Sequence, residues 1–368
     1  MLLIEDLMTL LKRNKISFFT GVPDSVLKKF SIILDTYKSD RHQIAVNEGS
    51  AVSLGIGYFL AKKKIPCVYM QNSGLGNAIN PLISIAHKKV YSIPMLLVIG
   101  WRGSPGSTDE PQHMIKGKIT LELLKLLNID YCILESKKDL KKFNKLIYKA
   151  KKNNSIVACL IKNNTLESKS KTKRKSLKKE NVDREKFIIK LLKSIKKNTK
   201  IISSTGHTSR VLMKVRSNKK LSNGKDFYMV GGMGHSLSVS LGMNLQSKNT
   251  IICLDGDGSV LMHLGSLFTG GFKNNVNLKH ILLNNNSHES VGAQPTYADG
   301  INFKNLSKSL GYKNYFQIAK RQEIEKKIKK FVSVKGPSLL EVKIQNRSLK
   351  NLGRPKNLVK VKNKFMNN

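Results

Sequence analysis

Two polar segments, each directly after an apolar run, constrain this chain more than any other feature. Residues 254–259 read Leu-Asp-Gly-Asp-Gly-Ser, and residues 283–285 read Leu-Asn-Asn. Asp257 and Asn285 are 28 residues apart, which is close to the length of a strand–helix–strand unit. Because parallel strands joined in this way end at the same edge of a sheet, we expect both side chains at the edge where open α/β sheets bind ligands.

Apolar, strand-like runs alternate with helix-like segments along most of the chain. This pattern predicts an α/β fold of two Rossmann-like domains, each with a mainly parallel sheet flanked by helices. The predicted strands are 16–20, 44–46, 67–70, 95–100, 131–134, 156–161, 200–203, 227–230, 250–254, 279–283 and 338–342.

A lysine-rich stretch with almost nothing apolar separates the two series of strands, and it is too charged to pack into a core. After Lys343 the chain again holds basic residues and no acidic one. We therefore predict domains at 1–166 and 186–345, a basic linker at 167–185 and a basic C-terminal tail at 346–368, either an arm or a partly disordered extension.

The charge balance is strongly basic, with 66 Lys and Arg against 24 Asp and Glu and a formal net charge of +42. Such an excess is typical of nucleic-acid-binding proteins. Here the excess is mostly lysine spread along the chain, and aromatic residues, at 7%, do not interleave with the basic stretches. We therefore expect no specific nucleic-acid partner, and we expect the positive surface to attract anionic substrates.

The four cysteines lie in apolar runs, and no pair has metal-ligand or redox spacing, so we expect buried free thiols. No apolar run approaches the ~20 residues that span a bilayer. The N-terminus also lacks the basic start of a secretory signal. These features predict a cytoplasmic protein with no membrane association.

The chemistry at 254–259 and 283–285 favours a magnesium diphosphate site. A carboxylate, an amide oxygen and a main-chain carbonyl suit Mg²⁺, which prefers oxygen ligands and bridges phosphates. Gly256 and Gly258 let the backbone approach a diphosphate closely. We expect Ser259 to begin the following helix, whose N-terminus favours anions. The alternative is a plain Gly-Asp-Gly turn.

This spacing resembles the cofactor motif of thiamine-diphosphate enzymes, in which Gly-Asp-Gly is followed at a similar interval by Asn-Asn. The resemblance implies that Asp257 and Asn285 bind Mg²⁺ through their side chains, and Ser287 through its main-chain oxygen. It also implies a carboxylic acid placed against the aminopyrimidine of the cofactor. Glu48 fits that role, since it follows a predicted strand and opens a helix of small residues; alternatively, it only favours the helix N-terminus.

The chain as a whole resembles the phosphonopyruvate decarboxylase branch of this family, which has only the pyrimidine-binding and diphosphate-binding domains. The matching segments are 18–25, 71–81, 100–103, 109–113, 205–210, 283–292 and 352–355. The resemblance implies decarboxylation of 3-phosphonopyruvate in phosphonate biosynthesis. Sulfopyruvate decarboxylase, another 2-oxo acid decarboxylase and a carboligase stay open as alternatives, and a non-catalytic nucleic-acid-binding protein is the rival from another class.

Further roles follow from the resemblance. Asp24 and Ser25 would relay protons or orient the substrate carboxylate, although they also suit a turn that caps the next helix. The remaining expected cofactor contacts are Gly206, His207, Thr208, Gly231 and Met233.

Met233 would be the bulky apolar residue that bends the cofactor, and a core methionine is its alternative role. The expected substrate contacts are Arg102, His113 and His288. Arg102 presents several donors to a phosphonate, although arginine also often holds loop carbonyls.

Three positions depart from this branch. Asn286 and Ala293 stand where glycine is expected, and Val211 stands where an acidic residue is more usual. Asparagine tolerates a left-handed backbone, whereas Ala293 would strain a glycine-specific turn. By resemblance, the active protein is a homodimer or a larger homo-oligomer, and each site combines the first domain of one subunit with the second domain of another.

Overall fold

The computed structural model describes residues 1–169, 182–221, 224–272, 275–346 and 352–367. The chain divides into two units, 1–174 and 175–368. Each unit contains a six-stranded sheet in which all paired strands are parallel. The predicted α/β fold class is therefore confirmed.

The first unit has eight strands and six α-helices among its described residues. The strands are β1 (Leu2–Leu3), β2 (Phe19–Gly21), β3 (His42–Ile44), β4 (Cys67–Gln71), β5 (Met95–Trp101), β6 (Asp130–Leu134), β7 (Ile156–Lys162) and β8 (Leu166–Glu167). The helices are α1 (Ile4–Arg13), α2 (Lys28–Leu34), α3 (Glu48–Lys62), α4 (Leu75–Pro81), α5 (Pro111–Leu126) and α6 (Asp139–Asn153).

The strand order in this sheet is β3-β2-β4-β5-β7-β6, and β1 pairs separately with β8. All seven residues of β5 are buried, as in a parallel strand covered by helices on both faces. Two apolar cores fill the two faces of the sheet.

The second unit has six strands and eight α-helices among its described residues. The strands are β9 (Lys200–Ser203), β10 (Lys225–Tyr228), β11 (Ile251–Gly256), β12 (Leu278–Asn284), β13 (Asn314–Ile318) and β14 (Ser338–Lys343). The helices are α7 (Arg184–Ser194), α8 (His207–Arg216), α9 (Ser236–Asn244), α10 (Asp257–Met262), α11 (Ser266–Gly271), α12 (Phe303–Ser309), α13 (Ile324–Ser333) and α14 (Leu358–Met366). The strand order is β10-β9-β11-β12-β14-β13.

The structure differs from the sequence prediction at the margins of the sheets. β13 lies at an edge and was not predicted, because its Asn-Tyr-Phe-Gln-Ile sequence mixes polar and apolar residues and stays half-buried over most of its length. β3 and β10 begin two residues earlier than predicted. The two-residue strands β1 and β8 are too short to leave a periodic pattern.

Most of the predicted linker, residues 170–181, lies outside the described residues. At its margins the backbone is structured, since Glu167 belongs to β8 and Arg184 begins α7. Part of the predicted tail also forms a helix, α14. Its Phe365 is buried against Ile202 and Ile251, which gives this basic segment an apolar anchor.

All four cysteines are free and buried, as predicted. Among the described residues, no helix combines the length and the apolar character needed to cross a bilayer.

Candidate active site

The two motifs that follow apolar runs meet at one edge of the second sheet. Asp257 is the first residue of α10, directly after β11, and Asn285 directly follows β12. β11 and β12 are neighbouring parallel strands. The expectation that both side chains lie at the carboxyl edge of adjacent strands is therefore confirmed.

The backbone N–H of Ser287 draws the oxygens of these two side chains together. It donates to Asp257 Oδ2 at 3.2 Å and to Asn285 Oδ1 at 3.1 Å. Thr296 Oγ1 also donates to Asp257 Oδ2, at 2.5 Å. A carboxylate and an amide oxygen that converge beside a loop carbonyl form the kind of donor set that Mg²⁺ prefers.

Asp257 is buried, and burial raises its pKa to about 6 in spite of the hydrogen bond from Thr296. A buried carboxylate is costly unless it is paired with a cation or coordinates a metal. The electrostatics of Asp257 thus fit a divalent cation.

A second carboxylate, that of Glu289, holds the side chain of Asn285 at this edge, and no sequence pattern predicted it. Glu289 Oε2 accepts from Asn285 Nδ2 at 3.0 Å and from Arg184 Nη2 at 2.6 Å. His207 Nδ1 lies 3.6 Å from the same oxygen. Glu289 belongs to segment 283–292, which carried the family resemblance, but nothing in the sequence indicated that its side chain turns back towards Asn285.

Four buried polar atoms around Glu289 and Ser287 have no hydrogen-bond partner within the described part of the chain: Ser287 Oγ, Glu289 Oε1, Arg184 Nε and His207 Nδ1. Buried polar atoms in native proteins normally have partners. A group of unsatisfied atoms beside converging oxygens is typical of a site that holds a ligand with its metal and water. The residues present therefore fit magnesium and a diphosphate.

The expected diphosphate contacts lie at the start of α8. Gly206 has φ +86°, a conformation that favours glycine, and α8 begins at His207. No side chain caps this helix, and the N–H groups at a helix start favour anions. Thr208 is buried in the first turn.

The loop that contains Gly231 and Met233, which is expected to contact the thiamine rings, is hydrogen-bonded to α10. Ser259 Oγ accepts from the N–H of Gly234 at 3.0 Å. α10 begins at Asp257, so the prediction that Ser259 begins the helix was wrong by two residues. The reason is that Asp257 already has helical geometry directly after β11, which leaves Ser259 buried and bound to the loop.

Met233, in that loop, lies beside Gly258 and His288. A Cβ atom on Gly258 would lie 3.2 Å from Met233 Cε and 2.9 Å from His288 Cε1, so glycine is required by this close approach. Burial lowers the pKa of His288 to about 4, which makes its imidazole neutral near pH 7. A Cβ on Gly256 would meet nothing within 4 Å, and the partly exposed Gly231 completes the set of predicted contacts.

The two positions where glycine was expected have left-handed backbone, with φ +55° at Asn286 and +60° at Ala293. The predicted strain at Ala293 is therefore present in the structure.

In the first unit, Glu48 is the first residue of α3. It opens the helix after β3, which ends at Ile44, as the sequence predicted. Asn47 caps the helix by accepting from the N–H of Ser50 at 2.8 Å. Glu48 is buried, and its Oε2 accepts from Asn77 Nδ2 at 2.8 Å. A side chain at Gly74 would overlap that of Glu48, so the backbone approaches this carboxyl group closely.

A polar cluster lies beyond the carboxyl ends of β2, β4 and β5. The buried Asp24 accepts from the N–H groups of Val26 and Leu27 at 2.9 and 3.1 Å, which is the capping role named as an alternative. Its Oδ1 accepts from Gln71 Nε2 at 2.5 Å. Burial raises the pKa of Asp24, although these hydrogen bonds and Arg102 act in the opposite direction.

Arg102 connects Ser25, the residue after Asp24, to Asp109 in the loop that follows β5. Its Nη1 donates to Ser25 Oγ at 3.0 Å, while Nε and Nη2 form a bidentate pair with Asp109 at 2.6 and 2.5 Å. His113 Nδ1 is 2.9 Å from Asp109 Oδ1. Burial alone would raise the pKa of Asp109, but the hydrogen bonds from Arg102 and His113 outweigh it and lower that pKa to about 2.

The structure thus brings together Asp24, Ser25, Arg102 and His113 in the first unit. It brings the predicted metal residues, His207 and the loop around Met233 to one edge of the second unit. The sequence analysis missed the side chains that hold these groups, namely Gln71, Asn77, Asp109, Arg184, Glu289 and Thr296.

Comparison with known proteins identifies the family. Residues 1–156 match the thiamine pyrophosphate enzyme, N-terminal TPP binding domain, and residues 203–342 match the C-terminal TPP binding domain. A phosphonopyruvate decarboxylase of Streptomyces viridochromogenes is 30% identical over 91% of this chain and 87% of its own length.

Sulfopyruvate decarboxylase sequences are also similar to this chain. The beta subunit from Methanothermobacter thermautotrophicus is 38% identical over 30% of this chain and 58% of its own length. A sulfopyruvate decarboxylase of Methanosarcina acetivorans is 25% identical over 80% of this chain and 79% of its own length. With both binding domains matched and a 30%-identical relative aligned over most of its length, the chain belongs to the thiamine pyrophosphate enzymes.

Proposed function

We propose that this protein decarboxylates 3-phosphonopyruvate to phosphonoacetaldehyde and CO₂ with thiamine diphosphate and Mg²⁺, in the cytoplasm, as a step of phosphonate biosynthesis. The observation that carries this proposal is the similarity to a phosphonopyruvate decarboxylase along 91% of the chain. The buried carboxyl groups of Glu48 in the first unit and Asp257 in the second unit support it.

The residues of the second unit would hold the cofactor. Asp257, Asn285 and the main-chain oxygen of Ser287 would bind Mg²⁺, and the start of α8 would bind the diphosphate. Gly231 and Met233 would contact the rings, and Gly256, Gly258 and Ser259 would contact the diphosphate. When bound, thiamine diphosphate supplies the electron sink for decarboxylation.

In the first unit, Glu48 would hold a proton at N1′ of the aminopyrimidine. Its burial and the donor from Asn77 fix the position of the carboxyl group. Asp24 would exchange a proton with the reacting substrate. Burial brings the pKa of Asp24 up towards the operating pH, as suits a general acid or base.

The polar cluster of the first unit would recognise the anionic substrate. Ser25 and Arg102 are hydrogen-bonded to each other, so that together they offer donors beside Asp24. Arg102 and His113 would face the phosphonate group. Asp109 neutralises part of the charge of Arg102 and fixes the plane of its guanidinium group. His288, as a neutral imidazole, would add a contact from the second unit.

Sulfopyruvate decarboxylation is the alternative, because a protein named sulfopyruvate decarboxylase aligns with 80% of this chain. A phosphonate and a sulfonate are both tetrahedral oxyanions that differ in charge. The test is to compare kcat/KM for 3-phosphonopyruvate, sulfopyruvate and pyruvate. A clear preference for 3-phosphonopyruvate supports the proposal. A preference for sulfopyruvate would make sulfopyruvate the substrate instead. Product formation only after an aldehyde is added indicates a carboligase.

The proposed active form is a homodimer or a larger homo-oligomer whose sites are shared. α3 supports an interface, since its exposed face carries the large apolar side chains of Leu54 and Leu60; exposed apolar patches often mark sites of protein association. Mixing the inactive variants Glu48→Gln and Asp257→Asn should then restore up to about a quarter of the activity through hybrid dimers. No recovery after verified subunit exchange contradicts shared sites.

A further inference from the structure

The carboxylate of Glu289 is almost completely buried, with its side chain 4% exposed. Its Oε2 accepts hydrogen bonds from Arg184 and from Asn285. Arg184 Nη2 lies 2.6 Å from this oxygen, so the carboxylate forms a buried ion pair with a guanidinium group that is always charged. The side chain of Glu289 is therefore an anion, although it lies within the protein.

We propose that Glu289 is a positioning residue that fixes the amide of Asn285 with its oxygen towards the magnesium ion. This inference rests on the proposed function, because it takes Asn285 as a metal ligand. It adds a residue that acts on the metal through Asn285 without binding the metal itself.

The argument begins with the chemistry of an amide. One end of the Asn285 side chain only accepts hydrogen bonds, and the other end only donates them. An ionised carboxylate only accepts, so the NH₂ group must face Glu289, where Nδ2 lies 3.0 Å from Oε2. Oδ1 is then directed to the opposite side, where it meets the N–H of Ser287 at 3.1 Å, beside Asp257.

The flipped amide shows what this arrangement prevents. Rotation by a half-turn would bring Oδ1 of Asn285 against the carboxylate of Glu289, where two acceptors repel each other. It would also set the NH₂ group against the backbone N–H of Ser287, where two donors repel each other, and it would remove an oxygen from the side where a cation needs one. These effects disfavour the flip, so the negative charge of Glu289 selects the orientation that binds metal.

Arg184 and His207 keep that charge in place. Arg184 is the first residue of α7 and His207 is the first residue of α8. The side chains at the starts of two helices therefore meet at the carboxylate of Glu289. Partners of metal-binding residues commonly change metal affinity by about 10–100-fold when they are replaced. We expect an effect of this size, because a neutral side chain at position 289 either accepts or donates and no longer selects one orientation.

The experiment measures Mn²⁺ binding in the presence of thiamine diphosphate by electron paramagnetic resonance of the free ion, so it needs no turnover. Glu289→Gln should raise the Kd for Mn²⁺ by about 10–100-fold. Glu289→Asp keeps the negative charge and should therefore raise the Kd for Mn²⁺ less than Glu289→Gln does. Glu341→Gln is the matched control, since Glu341 is another buried carboxylate that accepts from an asparagine amide, that of Asn284.

A swapped pair separates positioning from a structural role. In Asn285→Asp/Glu289→Gln, the new glutamine can donate to the new carboxylate, whose second oxygen faces the metal. This double variant should therefore bind Mn²⁺ more tightly than Glu289→Gln alone. Because it restores the hydrogen bond, it also tests the inference if Glu289→Gln fails to fold.

The outcomes distinguish this inference from the proposed function. Unchanged Mn²⁺ affinity in Glu289→Gln overturns the inference and leaves the function intact. An equal loss of Mn²⁺ affinity in Glu341→Gln also overturns the inference. So does a folded Asn285→Asp/Glu289→Gln double variant that binds Mn²⁺ no more tightly than Glu289→Gln. If the wild-type protein binds no Mn²⁺ with thiamine diphosphate, the proposed function itself fails.

Discussion

The side-chain amide of Asn77 donates to Glu48 Oε2 across 2.8 Å, and so joins the start of α4 to the start of α3. Glu48 is buried while Asn77 reaches the surface. The carboxyl group proposed to act on the cofactor is thus held in place by a neighbour that does not share its burial. We therefore expect the enzymatic activity to depend on Asn77.

We predict that Asn77→Ala lowers kcat by up to about tenfold, the effect of losing one hydrogen bond. Steady-state kinetics at saturating thiamine diphosphate and Mg²⁺ measure this change. Asn80→Ala is the control, because Asn80 lies on the same helix and bonds instead to Ser84. Equal kinetics in wild type and Asn77→Ala would show that the hydrogen bond plays no part in turnover.

Arg102 has two possible roles, binding the phosphonate and holding its own loop, and one variant separates them. Arg102→Lys keeps the charge but loses the bidentate pair with Asp109 and the bond to Ser25. We expect KM for 3-phosphonopyruvate to rise about tenfold or more, with a smaller change for pyruvate. A similar loss for both substrates would assign Arg102 to the loop alone.

Acid should destabilise the first unit through His42. Its Nε2 lies 2.8 Å from the hydroxyl of Tyr69, and burial lowers its pKa to about 4 from the ordinary value of 6.5. Because the unfolded chain takes up a proton first, stability is full above pH 6.5 and is lost as the pH falls towards 4. His42→Gln removes this titration, so its melting temperature should fall less between pH 7 and 4.5. Parallel melting curves against pH would refute the assignment.

The strain at Ala293 predicts a stabilising substitution. A left-handed alanine costs about 1–2 kcal/mol, whereas glycine adds a smaller entropic cost. Ala293→Gly should therefore raise the melting temperature by up to about 3 °C. Ala319→Gly, at a half-buried position without a positive φ, should lower it. A lower melting temperature in Ala293→Gly would mean that the surrounding loop already relieves the strain.

The sequence predicted the fold and the meeting of Asp257 with Asn285 because both depend on strand order, which apolar periodicity reveals. It did not predict the contacts of Glu289 and Asn77. Those side chains reach partners on other elements, and their directions depend on loop geometry that has no periodic signal. The exact start of α10 was missed for the same reason, since Gly-Asp-Gly fits a turn as well as a helix start.

CO₂ release from 3-phosphonopyruvate tests the central claim most directly. The protein should form CO₂ and phosphonoacetaldehyde in equal amounts, only with both thiamine diphosphate and Mg²⁺. Glu48→Gln should reduce the rate by about 10²-fold or more. If the folded, cofactor-loaded protein releases no CO₂ from 3-phosphonopyruvate, or if release continues unchanged in Glu48→Gln, the proposed function is contradicted.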